Sequence, residues 1–239
     1  MRDIDAWMTV NMLKMNRDKT DLVVLNSSHR PPPPLTSISV CDELISKTST
    51  ARNIGLLYDT VMSMEHPVTA VCKAGFFHCR NISRIRKYIS RYTAEILVHA
   101  FITSRLDFCN SLLYGLPKQT TERLQHVQNA AARMVALTHK HKHISPVLQE
   151  LHWLPVEQRI IFKLLLMTFK CLNGIAPSYL SDLITMYIPR RNLRSPNGHR
   201  LFDLKYNLRN YGFRSFSVAS PLLWNDMPLG IRSCDSQIG

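Results

Sequence analysis

The sequence predicts a mainly α-helical protein with a small α/β unit at its N-terminus. Apolar residues recur at helical spacing along most of the chain after Glu65. Short β-branched and aliphatic runs, which indicate strands, are confined to residues 22–59. The chain has 239 residues, of which 45% are hydrophobic and 20% are charged. This composition is typical of a globular protein with a real apolar core.

The N-terminal unit combines one helix with short strands. Residues 3–15 predict an amphipathic helix, and residues 22–25 predict a short buried strand. The four prolines of residues 31–34 exclude a helix or a central strand, because each removes a backbone donor and fixes φ. This tract is expected to be a surface loop or a polyproline II spacer. Residues 38–45 and 51–59 predict strands around a turn.

The rest of the chain predicts helices over residues 66–90, 93–115, 121–137, 156–174 and 177–187. The second of these is apolar nearly all round, which predicts a central helix packed by its neighbours on every side. The third is expected to begin with a threonine cap and to present small alanines to a close neighbour, and the fourth to begin after a proline and end at a glycine cap. After the fifth helix the sequence is basic, aromatic and turn-rich without a clean period. It is expected to form short strands, to wrap the helices or to order only on binding.

The helix predicted over residues 66–90 separates charge from apolar surface. At 100° per residue, five cations fall within an arc of about 60°: Lys73, Arg80, Arg84, Lys87 and Arg91. Apolar residues occupy the opposite side, where Arg86 is the one charge that intrudes. A solvated helix face is the ordinary explanation of such a stripe. A surface that follows a nucleic-acid backbone is the functional one, and the strict segregation favours it.

The net charge supports the functional interpretation of the stripe. The chain carries 30 Lys/Arg and 17 Asp/Glu, a formal net charge of +13. Residues 1–65 hold 7 of the basic and 8 of the acidic residues, so residues 66–239 carry all of the excess, a net of +14. A segment this basic favours polyanionic partners, either nucleic acid or an acidic membrane surface. No apolar run approaches the roughly 20 residues of a bilayer span, so a membrane protein is not expected.

Other chemistry-bearing residues favour structural roles. The six cysteines form no CxxC pair, and no secretory signal precedes them, so a reducing, intracellular setting is favoured. His139, His141 and His143 alternate with lysines, and a solvated basic turn is favoured over a metal site because no Cys or carboxylate completes a ligand set. Packing in the core is likewise favoured over ligation for Cys72, His78 and Cys79. Trp153 and Trp224 stand beside proline turns, where burial is favoured over base stacking.

Several long phrases resemble one protein family. They are SRLDFCNSLLYGLP, LQHVQNAAARMV, LHWLPVEQRIIFKLLLMTFKCLNGIAPSYLSDLI, RNLRS and YGFRSFSVASPLLWNDMP. They look like the C-terminal part of the reverse transcriptase of LINE-type (non-LTR) retrotransposons, in the jockey and chicken-repeat group. DAWMTVNMLKMNRDKTDLVVL resembles the palm segment just after the catalytic YADD turn, and ARNIGLLYD resembles the following primer-grip strands. The resemblance covers essentially the whole chain.

The resemblance implies a division into palm and thumb. Residues 1–65 would be a palm remnant, residues 66–188 a helical thumb-like body, and residues 189–239 a basic, aromatic, irregular and truncated C-terminal region. The five cations of the stripe would face the backbone of a template–primer duplex. Strands of the remnant would have edges that the missing palm strands normally cover.

The resemblance also bears on catalysis. In the family, Asn16, Lys19 and Thr20 belong to a motif near the incoming nucleotide, where the lysine is thought to help protonate the leaving pyrophosphate. The intact enzyme needs Mg²⁺, held by a carboxylate pair. This chain has no YADD and no adjacent Asp-Asp pair. Polymerase activity is therefore not expected, and no cofactor is expected for the chain as it stands.

The resulting expectation is a degenerate fragment of an RNA-directed DNA polymerase. It would bind the backbone of RNA or DNA weakly and non-specifically, with no small-molecule substrate and no membrane. Two alternatives stay open: a helical protein-interaction module retained by the host, which would use the helices of residues 93–137, or an incomplete gene model of a full reverse transcriptase. An intracellular location is expected, and the sequence does not choose between nucleus and cytoplasm.

Overall fold

The computed structural model describes most of the chain, namely residues 2–14, 16, 19–27, 33–40, 43–189, 199–208 and 211–232. The fold is mainly α-helical with a small sheet region near the N-terminus, as predicted. The chain divides into two compact units, Met1–Ala70 and Val71–Gly239. The division falls inside a helix that begins at Glu65. Residues 199–208 and 211–232 belong to the second unit rather than to a separate region.

The first unit contains a helix and five short strands. These are α1 (Arg2–Val10), β1 (Leu22–Val23), β2 (Ser37–Val40), β3 (Glu43–Thr48), β4 (Thr50–Asn53) and β5 (Leu56–Asp59). Strand β3 is central, parallel to β1 and antiparallel to β2, and β4 pairs with β5 in a hairpin. Ile54 and Gly55 close that hairpin with positive φ at both positions, as a tight two-residue turn requires. The predicted strands around a turn are confirmed.

Helix α1 is shorter than predicted and leaves its apolar side uncovered. It ends at Val10 rather than near residue 15. The chain turns at Met12, which has a positive φ of 56°, and the N–H groups of Met12 and Leu13 donate to the carbonyls of Thr9 and Met8, as in a left-handed helix cap. Trp7 is 61% exposed and Ile4 is 53% exposed. The amphipathic pattern is therefore real, but its apolar face is not buried within the described part of this chain.

The proline tract lies between β1 and β2 in sequence, and another turn leads out of the sheet after β5. Pro33 and Pro34 are exposed and outside regular structure, which agrees with the predicted loop, whereas residues 31–32 lie outside the described residues. At the other end, the Asp59 carboxylate accepts hydrogen bonds from the backbone of Val61 and Ser63. This turn leads the chain from β5 into the next helix.

The second unit is built from helices joined by short turns. Helix α2 (Glu65–Ile85) leads into it, and the others are α3 (Arg91–Val98), α4 (Ser104–Asp107), α5 (Lys118–Ala136), α6 (Ser145–Glu150), α7 (Val156–Leu172), α8 (Ser178–Ser181), α9 (Phe216–Asp226) and α10 (Leu229–Arg232). Helix α5 packs against α3, α6 and α7, and α9 packs on α7. The core residues Leu124, Val127 and Ala131 of α5 are buried, as their near-heptad spacing predicts.

The predicted central helix over residues 93–115 is broken, and one side of it is open. A π-helical turn, His99–Thr103, separates α3 from α4, and a 3-10 turn, Asn110–Leu113, follows. Ala94, Val98, Ile102 and Leu106 are buried on one side. Large apolar side chains on the other side are exposed: Tyr92, Ile96, Phe101 and Phe108. The prediction of packing on every side is wrong, because these four side chains are 45–73% exposed.

Two predicted helix starts have different outcomes. Helix α5 begins at Lys118, after Pro117, and not at a cap on Thr121. The Thr121 hydroxyl instead donates to the Lys118 carbonyl inside the first turn, so the predicted cap is wrong. Helix α7 begins at Val156, directly after Pro155, as predicted.

Helix α9 was not predicted, whereas the isolated bridge between Met186 and Leu201 before it agrees with the expectation of short strands. Val218, Ala219 and Ser220 are buried on α9, together with Trp224. The Trp224 indole donates to the carbonyl of His199, and the side chain of Asn225 both accepts from and donates to the backbone of Leu201. The C-terminal region is therefore held against the helical body in its described part. Of the alternatives that the sequence left open, packing along the helices describes residues 199–208 and 211–232.

Gly115 offers a test of this packing. Its φ is +71°, and a Cβ atom there would lie 2.9 Å from Arg214 Cγ and 3.0 Å from the Phe213 ring. We expect Gly115→Ala to lower the free energy of unfolding by about 2–4 kcal/mol, since backbone strain adds to the collision. Gly174, the predicted cap after α7, has a φ of +68° with nothing within 4 Å of a built Cβ. Gly174→Ala should therefore cost only about 1 kcal/mol. Equal losses in urea denaturation would contradict the packing of residues 213–214 on Gly115.

Candidate nucleic-acid interface

Helix α2 provides the scaffold of the candidate site. Its 21 residues bury one side, which includes Val68, Cys79 and Ile82. Gly75 lies on the same side, where a Cβ atom would be 2.4 Å from Val127 Cγ1 of α5. The absence of a side chain at Gly75 therefore permits a close approach of the two helices. Because α2 is fixed on this side, its opposite face is rigidly presented.

Three cations stand on the exposed face of α2. Lys73, Arg80 and Arg84 are all exposed, and helical geometry places them within an arc of about 40°. In the described part of the chain, none of the three has a hydrogen-bond or ion-pair partner. No Asp or Glu occurs between Glu65 and Glu95 in the sequence. Their charge is therefore not neutralised locally.

The predicted five-cation stripe is not a continuous helical stripe. Helix α2 ends at Ile85, a 3-10 turn covers Arg86–Tyr88, and Ile89 is extended. Ser90 then caps α3 by accepting from the backbone N–H of Thr93. The prediction of one helix through residue 90 is wrong at its end. The spacing of 100° per residue therefore no longer places Lys87 and Arg91 in the arc that Lys73, Arg80 and Arg84 share.

Lys87 keeps an exposed charge on the 3-10 turn. Its Nζ lies 4.8 Å from the centroid of the Tyr88 ring, in a cation–π contact. Tyr88 is itself exposed. This contact leaves the ammonium group accessible, so Lys87 stays in the candidate interface.

Arg91 differs from the other four cations because it is paired. Its Nε lies 3.1 Å from Glu95 Oε1, and its Nη1 lies 2.5 Å from Glu150 Oε1. These hydrogen bonds, that of Glu150 foremost, raise the pKa of the Arg91 guanidinium above its ordinary value. Two carboxylates beside one guanidinium leave no excess positive charge at this point. We therefore exclude Arg91 from the interface and assign it to the junction of α3 and α6.

Arg86 has a structural role that its position on the apolar side indicated. It is 7% exposed. Its Nε and Nη2 donate to the carbonyl of Val135 at 3.2 and 2.7 Å, and its Nη1 donates to the carbonyl of Ile89 at 3.0 Å. A cation is favoured at the C-terminal end of a helix, where backbone carbonyls lack partners. Arg86 thus ties the turn after α2 to the end of α5.

Other arginines of the second unit are also engaged by the protein. Arg159 forms a two-point ion pair with Asp107. Arg214 donates to the carbonyl of Leu112, and Arg232 donates to that of Met227. The contrast with Lys73, Arg80 and Arg84 distinguishes arginines that the protein itself holds from cations that have no partner among the residues whose placement is described. Sequence spacing could not make this distinction, because most of the partners are distant in the chain.

Asn16, Lys19 and Thr20, which the resemblance singled out, are linked by hydrogen bonds. The Thr20 hydroxyl donates to the carbonyl of Asn16 at 3.0 Å, and the backbone N–H of Lys19 donates to the same carbonyl at 3.3 Å. Asn16 and Lys19 are exposed. The residues present do not fit the Mg²⁺ site of the intact family enzyme: the chain has no adjacent Asp-Asp pair, and among the described residues no three His, Cys, Asp or Glu side chains group as a metal site requires. We derive no catalytic step through this motif.

The remaining candidates of the sequence occupy structural positions. His139, His141 and His143 are exposed around a turn, which confirms the predicted basic turn, and the first two rings stack at 5.4 Å. Trp153 and Trp224 are buried, as predicted. Among the metal-ligand alternatives, Cys79 is buried and Cys72 half-buried, whereas the His78 ring stacks on Phe101.

Cys79 supplies a pH-dependent test of the buried side of α2. Burial raises the pKa of the Cys79 thiol from 9.0 to about 11. As the pH rises through this window, the unfolded chain loses the thiol proton before the folded chain does, so stability is lost. Between these pH values, we expect the free energy of unfolding of the wild type to fall by up to about 2–3 kcal/mol more than that of Cys79→Ala. Parallel stability curves of the two proteins in urea would show that the thiol is not buried.

No protein-family model, no curated protein and no solved structure matches the chain. The resemblance to LINE-type reverse transcriptases therefore rests on the sequence phrases alone and stays a proposal. In the described residues, no helix is both long and apolar enough to cross a membrane.

Proposed function

We propose that the chain binds the phosphate backbone of nucleic acid through the exposed cations of α2 and of the turn that follows it. The interface consists of Lys73, Arg80, Arg84 and Lys87. The observation that carries the proposal is that these four side chains are exposed and form no ion pair with any residue that the structure describes, whereas the arginines around them are held by carboxylates or carbonyls. Recognition of a nucleic-acid backbone requires accessible positive charge that is free to pair with phosphates, and a helix holds such charges at fixed spacing.

The family proposal is consistent with this surface. In a LINE-type reverse transcriptase the matching segment would be the thumb, which follows a template–primer duplex. We propose that this chain derives from such an RNA-directed DNA polymerase. No polymerase activity is proposed for it, since the sequence holds no YADD turn. Contacts to phosphates alone carry no sequence preference, so the binding is proposed to be non-specific.

A salt titration of the wild-type chain tests the proposal. Four phosphate contacts predict that the logarithm of the association constant falls with the logarithm of salt concentration with a slope of roughly −3 to −4. Fluorescence anisotropy with labelled duplex DNA and an RNA–DNA hybrid measures this slope. We expect similar values for both duplexes. Absence of binding at low salt, or binding that salt does not weaken, would reject the proposal.

A second candidate function has its own observation. The stretch from α3 to the turn after α4 exposes four large apolar side chains, Tyr92, Ile96, Phe101 and Phe108, whereas Ala94, Val98, Ile102 and Leu106 of the same stretch are buried. Exposed apolar side chains in such a group are typical of protein-binding surfaces. This observation favours a host-retained interaction module that would use the helices of residues 93–137. Association that persists at high salt, with the α2 cations removed, would support it.

A further inference from the structure

The exposed face of α2 carries aromatic rings as well as cations. Phe77 is 55% exposed and Phe76 is 42% exposed. Each phenylalanine has a cation one helical turn before it, Lys73, and another one turn after it, Arg80. By helical geometry the two rings flank the cation arc, one on each side. Exposed phenylalanine lies within this charged face, although its side chain has no polar group to interact with water.

We propose that this face binds single-stranded nucleic acid, with bases stacked on Phe77 and Phe76 and phosphates held by the neighbouring cations. The inference rests on the proposed nucleic-acid binding and specifies its substrate class. Non-specific single-strand sites combine a positively charged track with aromatic rings, because every base offers a flat face. A ligand that is anionic along its length and flat and apolar at its bases matches both components of this surface.

The same components disfavour a duplex as the best ligand. In a duplex the base faces are covered by their neighbours, and only base edges and the backbone are exposed. Phe77 and Phe76 could then contact only the sugar-phosphate surface, which leaves the rings without a stacking partner. The cations can contact the phosphates of either ligand and contribute to the affinity for both. The rings can stack only on the accessible bases of a single strand, so they favour that ligand.

Tyr88 extends this surface beyond the helix. It is exposed on the 3-10 turn, and Lys87 lies over its ring. The pair repeats the arrangement of a cation beside an accessible ring. Toward the other side, the half-buried His78 ring stacks on Phe101 at 5.1 Å and contacts Phe77 edge-on at 5.3 Å. These ring contacts restrict Phe77, so little conformational freedom is lost when a base stacks on it.

The test compares one labelled DNA oligonucleotide, single-stranded and annealed to its complement, by anisotropy at low salt. Wild type should bind the single strand more tightly. Phe76→Ala/Phe77→Ala should weaken single-strand binding about tenfold or more and leave duplex binding unchanged. Phe77→Leu keeps an apolar side chain without a flat ring and should behave like Phe77→Ala, whereas Phe77→Tyr should retain wild-type affinity. Circular dichroism checks that each variant is folded, which is expected for exposed positions.

The outcomes separate this inference from the proposed function. If Arg80→Ala/Arg84→Ala weakens binding but the phenylalanine variants do not, the stacking inference is wrong and backbone binding stands. If wild type binds neither oligonucleotide, both are wrong. Vesicles of phosphatidylcholine with phosphatidylserine form the third arm. Strong vesicle binding that Phe77→Ala abolishes, with no effect on the single strand, would assign the face to a membrane surface and overturn the inference.

Discussion

Replacing Arg80, Arg84 and Lys87 together with alanine should weaken nucleic-acid binding about a hundredfold at roughly 50 mM salt. Each of these side chains is exposed and has no ion pair within the described ranges of the chain, so its removal subtracts one phosphate contact. The salt slope should become less steep by about 3, one for each contact. Arg80 and Arg84 lie on an α-helix, where alanine has the highest propensity, so their loss should not unfold α2. Anisotropy over a series of salt concentrations measures both quantities.

A charge-matched variant distinguishes a local interface from general attraction. Lys163, Arg200 and Lys205 are also exposed, and their alanine variant loses the same three charges elsewhere in the second unit. We expect its affinity to stay within about threefold of wild type, since contact rather than net charge dominates. Arg91→Ala should likewise have a smaller effect than Arg84→Ala, because Glu95 and Glu150 already hold Arg91. Equal losses in all of these variants would contradict the assigned face.

Arg86→Ala should have the largest effect on stability among the basic residues of this segment. The substitution removes donors from the carbonyls of Val135 and Ile89 and leaves a cavity where a nearly buried side chain stood. Unsatisfied carbonyls and lost packing together predict a loss of about 2–4 kcal/mol in the free energy of unfolding. Urea denaturation followed by circular dichroism measures it.

Arg84→Ala is the matched control, two residues away on the exposed face. It should change the free energy of unfolding by no more than about 0.5 kcal/mol. Arg86→Lys should fall between wild type and Arg86→Ala, because an ammonium group keeps the charge but cannot reach both carbonyls as the guanidinium fork does. If Arg86→Ala and Arg84→Ala were equally stable, Arg86 would not connect the turn to the end of α5.

Helical periodicity was sufficient to locate α2 and its buried side. The spacing of Val68, Cys79 and Ile82 is a local signal, and the structure buries all three. The end of the helix was harder to predict, because it depends on Arg86 reaching the carbonyl of Val135, 49 residues later. A local signal was nevertheless present: Ser90 precedes a helix start and caps it through Thr93. Because Arg91 is the first residue after that cap, Ser90 indicates that Arg91 belongs to a new helix and not to the stripe of α2.

The pairing of Arg91 could not be predicted in full. Glu95 is one helical turn away and visible in the sequence, but Glu150 is 59 residues distant. Helix α9 was missed for another reason. Most of its residues are apolar and one is Pro221, so it shows neither an amphipathic period nor an uninterrupted helix-forming run.

The exposure of Phe76 and Phe77 could not be predicted either. It depends on tertiary packing, because nearby apolar residues of α2 are buried.

Lysine footprinting on the unmodified sequence tests the central claim most directly, since no variant has to fold. The chain is acetylated briefly with and without saturating single-stranded DNA, and each lysine is quantified by mass spectrometry. Lys73 and Lys87 belong to the proposed interface, whereas Lys163 and Lys205 are exposed elsewhere. We predict strong protection of Lys73 and Lys87 and unchanged modification of Lys163 and Lys205. Protection of Lys163 and Lys205 with Lys73 and Lys87 still reactive would contradict the assignment of the nucleic-acid interface to α2.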